Sequence, residues 1–257
     1  NELTDIRGEI EFRNVWFSYI PGEWVLKGVS FHVNPKETIA FVGSTGSGKS
    51  TILSLICRNY EFQKGEILID GIDIRKIKID SLRKKFGQML QDVFLFSGTI
   101  GSTIAYSNEA MDEERIRSAA EIAQATEFID AKAEGMQTAI SQGGTNVSGG
   151  QRQRLSIARA LATDARVLLF DDSFSALDYA TDAKLRRALA QNAAGKTVIV
   201  VAQRISTVLN ADKIVVLEEG KMVGCGTHSE LMKTCPTYRE IAESQLSEEE
   251  LKGGDER

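Results

Sequence analysis

A glycine-rich segment, residues 43–50, restricts what this chain can fold into more than any other part of its sequence. It reads GSTGSGKS, so four residues separate its first glycine from a Gly-Lys-Ser triplet, the spacing of a phosphate-binding loop. Glycines let the backbone turn tightly and approach a phosphate with no Cβ in the way. The N–H groups of such a loop, together with the positive end of a following helix, make a site for an anion.

The sequence on both sides of the loop supports this interpretation. Residues 38–42 read as a buried strand that enters the loop, and residues 51–56 read as the helix that leaves it. We expect Lys49 to reach the β- and γ-phosphate oxygens of a nucleoside triphosphate, and Ser50 to offer its hydroxyl to Mg²⁺. The predicted loop contacts are Gly43, Ser44, Thr45, Gly46, Ser47, Gly48, Lys49, Ser50 and Thr51.

Chain length, net charge and apolar content limit the number of domains and the kinds of partner that we expect. The 257 residues are enough for one large α/β domain or two small ones. A net charge of −5 and the lack of a dominant basic run argue against a nucleic-acid partner. No apolar run approaches the ~18 residues that span a membrane, and the N-terminus lacks both a signal peptide and a first methionine. We therefore expect a fragment of a longer chain that is soluble by itself.

The remaining sequence predicts alternating strands and helices. Tyr19 lies in a β-rich segment before the loop, where it could stack on a base or pack in the core. A continuous apolar strand at 166–170 is typical of a parallel sheet covered on both faces, and it ends in Asp171 and Asp172. A carboxylate that follows such a strand is the usual way to hold Mg²⁺ beside a phosphate loop. The other predicted elements are strands at 8–19, 25–33, 65–71 and 196–202, helices at 81–86, 112–129, 149–162 (with Ser148 as N-cap), 181–191 and 238–245, and a hairpin at 214–225.

The order of these motifs resembles the nucleotide-binding domain of ATP-binding-cassette (ABC) transporters over nearly the whole chain. The resemblance rests on the phosphate loop and on a Ser-Gly-Gly-Gln run just before the Asp171 strand. It implies an α/β fold with a P-loop NTPase (RecA-like) core and parallel sheet, an N-terminal antiparallel β flap and an inserted α-helical subdomain. The expected parts are 1–91 for the flap and phosphate-loop core, 92–163 for the helical subdomain, 164–245 for the rest of the core, and 246–257 for a mobile polar tail.

The resemblance also implies roles for single residues. Tyr19 matches the family's adenine-stacking aromatic residue, and Gln91 matches the glutamine that touches Mg²⁺ and the attacking water. Asp178 lies in the loop 175–178, which in the family crosses between two domains of a dimer. The run 94–100 is similar to the exporter branch.

In that family, two nucleotide-binding domains pack head to tail. Each ATP lies between the phosphate loop of one domain and the signature motif of the other, so the signature motif here is expected to contact a partner's nucleotide. A helix that starts at this motif would present open N–H groups to a phosphate. The signature motif comprises Ser148, Gly149, Gly150 and Gln151. The implied ligands are ATP and Mg²⁺, and the implied partners are a second nucleotide-binding domain and the transmembrane domains of an exporter at the cytoplasmic face of the cell membrane.

Three departures from the family pattern stand out. Asp172 replaces the family's catalytic glutamate, and the lost methylene would withdraw the carboxylate by more than ~1 Å from the water it polarises. Gln203 replaces the switch histidine; an amide can donate one hydrogen bond to a γ-phosphate but carries no positive charge. Residues 142–143 read Gln-Gly where the exporter branch usually has Glu-Arg, a pair that takes part in crosstalk with the membrane domain.

Both active-site departures belong to the site that this chain's own phosphate loop would form. The candidate catalytic residues there are Asp172, Gln203 and Gln91, whereas the signature motif serves the other site and is intact. The chain thus resembles the degenerate half of a heterodimeric bacterial exporter. Two other readings stay open: a competent homodimeric ATPase in which Asp172 suffices, and a soluble member of the superfamily that acts without a membrane domain.

Overall fold

A computed structural model describes residues 5–89, 92–106, 108, 110–172, 174–247 and 251. Over these residues the strands are β1 Ile10–Ser18, β2 Trp24–Val33, β3 Thr38–Gly43, β4 Lys64–Ile69, β5 Ile72–Asp73, β6 Phe86–Met89, β7 Gly98–Thr99, β8 Ala139–Ile140, β9 Val167–Asp171, β10 Thr197–Val201, β11 Lys213–Glu218 and β12 Lys221–Gly226. The α-helices are α1 Lys49–Ile56, α2 Ile79–Arg83, α3 Ile100–Ile104, α4 Glu113–Ile122, α5 Thr126–Asp130, α6 Gly149–Ala162, α7 Tyr179–Asn192, α8 His228–Thr234 and α9 Pro236–Gln245.

The chain divides into two compact units. Described residues within Asn1–Phe86 and Gly195–Arg257 form the first unit, and those within Gly87–Ala194 form the second. Among the described residues, no helix is long and apolar enough to cross a membrane. Apart from residues 246, 247 and 251, the predicted tail 246–257 lies outside the described residues.

The first unit contains an antiparallel sheet and a set of parallel strands. The antiparallel sheet has the order β2-β1-β4-β5, which confirms the predicted flap. Strands β10 and β11 both run parallel to β3, and β12 pairs antiparallel with β11. The central strands are buried along almost their whole length because apolar side chains face both ways, as the sequence predicted. The carboxyl ends of β3 and β10 lie at one edge, so the phosphate loop and Gln203 follow neighbouring strands.

The second unit is mainly helical. Helices α3 and α4 pack on α6, whose apolar residues are buried, and β7 pairs with β8 beside them. Strands β6 and β9 are neighbours in a sheet, and β9 is buried at all five of its positions. The strand predicted at 166–170 is thus confirmed, shifted by one residue.

Two predicted helices were wrong in extent. The segment 112–129 forms two helices, because Gln124 adopts a left-handed conformation with φ of 58° after α4 ends. A left-handed residue at this point ends a helix, and glycine is the usual sequence signal for it. In place of the helix predicted at 81–86, helix α2 begins at Ile79 and ends at Arg83, and Phe86 already belongs to β6.

Two short helices were missed by the sequence analysis. Both begin with a capping box: in α8, Thr227 accepts from the Glu230 N–H, while the Glu230 side chain accepts from the Thr227 N–H. Helix α3 has the same arrangement between Thr99 and Ser102. The Thr-x-x-Glu spacing of α8 was a readable signal.

Candidate functional site

The phosphate loop has the backbone that its glycines predict. Gly46 and Gly48 have φ angles of 79° and 103°, a region that residues with a Cβ rarely adopt. The buried Lys49 side chain folds back along the loop, where its Nζ donates to the carbonyls of Gly43 at 2.7 Å and Ser44 at 2.9 Å. The loop therefore holds a desolvated positive charge beside its open N–H groups.

Two further observations show that this loop fits a triphosphate. Within the described part of the chain, the buried Ser47 Oγ has no hydrogen-bond partner, and a buried hydroxyl is rarely left in that state without a ligand. Helix α1 starts after Gly48 with no side-chain cap among the described residues, so its first turn is open to an anion. Ser50 is exposed on that turn, where its hydroxyl would help to hold Mg²⁺, an ion that would neutralise phosphate charge.

Gly43 offers a direct test of how tightly this loop is packed. A Cβ on Gly43 would overlap the carbonyl oxygen of Leu217 and lie 2.8 Å from Ser47 Oγ. We expect Gly43→Ala to lower the free energy of unfolding by ~3 kcal/mol, from strain plus overlap. Gly22 also has positive φ, but a methyl group added there would have nothing within 4 Å, so Gly22→Ala should cost only ~1 kcal/mol. Urea denaturation measures both; equal losses would contradict the packing account.

An aromatic group lies beside the loop in the first unit. Tyr19 is 49% exposed, so it is not a core residue, and its Oη lies 2.9 Å from Oγ1 of Thr51 on helix α1. Its ring meets those of buried Phe17 and half-exposed Tyr60 edge to face, with centroids 4.7 and 5.0 Å away. Sequence analysis missed Tyr60, which no local pattern connects to Tyr19.

The carboxylate pair stands where β9 ends, in the second unit. Asp171 is buried and is the last residue of the strand. Asp172 is left-handed, with φ of 46°, a conformation that aspartate tolerates better than most side chains. The third predicted participant, Gln91, lies outside the described residues.

Gln203 is exposed just beyond β10, and its backbone is held in place. Its carbonyl accepts a hydrogen bond from Gln245 Nε2 at 2.8 Å, while Gln245 Oε1 accepts from the Ile205 N–H at 2.8 Å. The last residue of α9 thus fixes the loop that carries Gln203. Gln245 was not predicted, because the contact joins residues 42 positions apart.

The signature motif begins helix α6 with a complete capping box. Ser148 Oγ accepts from the Gln151 N–H, and Gln151 Oε1 accepts from the Ser148 N–H, both at 3.1 Å. This confirms Ser148 as the N-cap and adds a structural task for Gln151 that sequence analysis did not give it. Ser148 is exposed and Gly149 and Gly150 are half-buried, so the first turn remains accessible.

The loop 175–178 lies against the signature motif. A Cβ on Gly150 would be 3.3 Å from the carbonyl oxygen of Ala176, a close approach that glycine permits. Asp178 ends the loop as the N-cap of α7; the hydroxyl and N–H of Thr181 donate to it and hold the pKa of this carboxyl below its usual range. The second unit therefore brings the signature motif, this loop and Asp172 into one neighbourhood.

The second unit also has a groove of about 1020 Å³ between its helices. Phe96 and Tyr106 stack there with centroids 5.4 Å apart, and the Arg159 guanidinium lies 5.7 Å from the Tyr106 ring centre. Both aromatic rings are more than half exposed. Two exposed aromatic rings and a guanidinium group thus line one groove of the second unit.

Comparisons with known proteins show which family this chain resembles. A family model described as ABC transporter matches residues 26–175. The chain is 45% identical, over 90% of its length, to ABC transporter B family member 21 of Arabidopsis thaliana, of which it covers 18%. It is 42% identical, over 96% of its length, to an ATP-dependent lipid A-core flippase of Saccharophagus degradans, of which it covers 42%. A solved bacterial Atm1-family ABC exporter with ATP bound matches with a TM-score of 0.92 and 37% identity, over 96% of this chain and 44% of that one. The chain spans less than half the length of each of these proteins.

Proposed function

This chain belongs to the ABC transporter family as an ATPase domain that binds ATP with Mg²⁺, and we propose that it is one half of a heterodimeric exporter whose own site is degenerate. The proposal rests on a contrast between the intact signature motif and two altered catalytic positions of the same chain. The signature motif starts a capped, accessible helix, whereas the positions of the catalytic glutamate and switch histidine hold Asp172 and Gln203.

At its own site, the chain would retain nucleotide and hydrolyse it slowly. We assign the phosphates to the loop 43–51, the base to Tyr19, and Mg²⁺ to Ser50 and Asp171 with Gln91. Asp172 is too short to polarise the attacking water well, since a displacement of ~1 Å can cost ~10²-fold in rate. Gln203 supplies no positive charge to the γ-phosphate.

At the partner's site, the signature motif would complete the catalytic centre. Ser148 and the N–H groups of Gly149 and Gly150 would donate toward the γ-phosphate held by the other chain, and Asp178 would lie at the same interface. Fixed donors in a site that excludes water stabilise the charge that develops during phosphoryl transfer. ATP would then hold the two domains together, and hydrolysis would release them.

The membrane domain of the parent chain is the proposed occupant of the aromatic groove at Phe96 and Tyr106. The similar proteins are more than twice as long as this chain, which leaves room for transmembrane domains. The groove is lined by exposed Phe96 and Tyr106 together with Arg159 and Glu113, so it suits an amphipathic segment. This arrangement would place the domain at the cytoplasmic face of the membrane and couple its ATP cycle to export.

The isolated chain tests the degenerate site. We expect very slow ATP hydrolysis even at concentrations that force association, a modest rise for Asp172→Glu, and a further rise when Gln203→His is added. Phosphate release is the measurement, and Gln191→His on the exposed end of α7 controls for the added histidine. Robust turnover by the unmodified chain would instead favour a competent homodimer.

A further inference from the structure

Gln153 is a buried amide on the signature helix that the proposed mechanism does not use. It lies on α6, one turn after Gly150, and only 5% of its surface is exposed. Its Oε1 accepts from the Ala176 N–H at 3.1 Å, and its Nε2 donates to Ser175 Oγ at 3.3 Å. A backbone N–H can be satisfied only by an acceptor, so the contact with Ala176 fixes which way the amide points.

Gln153 binds the first two residues of the loop 175–178, which follows the carboxylate pair in the chain. The Ser175 N–H donates to the Asp172 carbonyl at 3.4 Å, which closes a turn directly after β9. Ser175 therefore links Asp172 to Gln153: its N–H donates to the Asp172 carbonyl, and its Oγ accepts from the Gln153 amide. The close approach of Gly150 to Ala176 is a second contact between the same helix and the same loop.

We propose that Gln153 is a positioning residue that ties the signature motif to the loop after Asp172. The inference rests on the proposed function, in which residues 148–150 contact the partner's nucleotide while Asp172 serves this chain's own site. When a γ-phosphate draws in the first turn of α6, the Gln153 amide moves Ser175 and Ala176 with it.

Gln153 is suited to this task because both ends of its amide are engaged. If the helix and the loop moved apart, the buried amide would lose a hydrogen-bond partner at the full free-energy cost of its desolvation. Movement of the two together keeps both hydrogen bonds and is therefore favoured. A methionine at this position has nearly the same length and volume but can make neither hydrogen bond. Gln153→Met therefore removes the tie without emptying the space.

Hydrogen exchange tests the tie itself, with no nucleotide present. In the 257-residue chain, Gln153→Met should speed exchange of the Ala176 amide about 10-fold, because its acceptor is lost. Amides within β9 should keep their protection. Gln191→Met, the same replacement at an exposed position of this unit, should leave Ala176 unchanged. Unaltered exchange at Ala176 in folded Gln153→Met would overturn the inference.

Steady-state hydrolysis by the assembled transporter tests whether Gln153 positions the signature motif. Gln153→Met should lower kcat about 10-fold with KM for ATP unchanged, since the catalytic donors are displaced but nucleotide binding is not. Ser175→Ala removes the other end of the contact at an exposed position, so it should fold even if Gln153→Met does not, and should lower kcat in the same direction. The double variant should be no worse than Gln153→Met alone.

Ser148→Ala, measured alongside, separates this inference from the proposed function. If Ser148→Ala lowers kcat while Gln153→Met and Ser175→Ala do not, the signature motif acts as proposed and the positioning role of Gln153 is wrong. If Ser148→Ala also has no effect, the proposed function itself fails.

Discussion

Gly149→Asp in the assembled heterodimer is expected to lower ATP hydrolysis at least ~100-fold, because it replaces open donors at the start of α6 with a carboxylate that repels the partner's γ-phosphate. Loss of one fixed donor at a developing oxyanion costs about 10²–10³-fold. Ser148→Ala introduces no charge and removes only the capping hydroxyl, so it should lower ATP hydrolysis by a smaller factor.

The matched comparison for this prediction is Asp172→Asn, which removes a carboxylate from the degenerate site. It should lower phosphate release by less than about threefold, because that site already turns over poorly. Gly195→Asp adds the same charge at an exposed glycine with positive φ and open surroundings, and should have no effect. Equal losses from Gly149→Asp and Asp172→Asn would mean that the two sites are functionally alike.

Lys49→Ala should have the largest effect on binding at this chain's own site. The Nζ is buried in the loop and bound to the Gly43 and Ser44 carbonyls, so its charge is already desolvated and held within the loop. Charge-assisted hydrogen bonds of this kind contribute ~3 kcal/mol, which corresponds to a loss of roughly 100-fold in affinity. Equilibrium titration with a fluorescent ATP analogue measures the loss.

Two controls sharpen this result. Lys221→Ala removes a lysine from an exposed strand position and should leave the affinity unchanged. Melting temperatures of both variants show whether loss of the two carbonyl contacts also loosens the loop. Unchanged affinity in a folded Lys49→Ala variant would mean that the phosphate-loop assignment is wrong.

The loop and the strands around it could be predicted because their signals are local. A strand, a fixed glycine spacing and a helix start all lie within 38–56, and the buried strands show themselves as continuous apolar runs. The N-cap at Ser148 is local in the same way. The Thr227 capping box was equally local, and α8 could have been found from it.

The features that sequence analysis missed are contacts between distant segments. Gln153 meets Ala176 across 23 positions, Gln245 meets Gln203 across 42, and no local pattern marks either glutamine. The break at Gln124 also escaped prediction, because a glutamine in the left-handed region has no composition signal of its own. Such residues hold the site in place without belonging to its motifs.

We expect the two nucleotides of the dimer to differ: ATP at this chain's own site persists, whereas ATP at the partner's site is hydrolysed. Photolabelling the assembled transporter during turnover with an α-labelled 8-azido-ATP attaches nucleotide to the chain whose aromatic residue holds the base. The account predicts that label on this chain remains triphosphate, because Asp172 and Gln203 serve that site poorly, while label on the partner is converted to diphosphate. Equal conversion to diphosphate on both chains would contradict it.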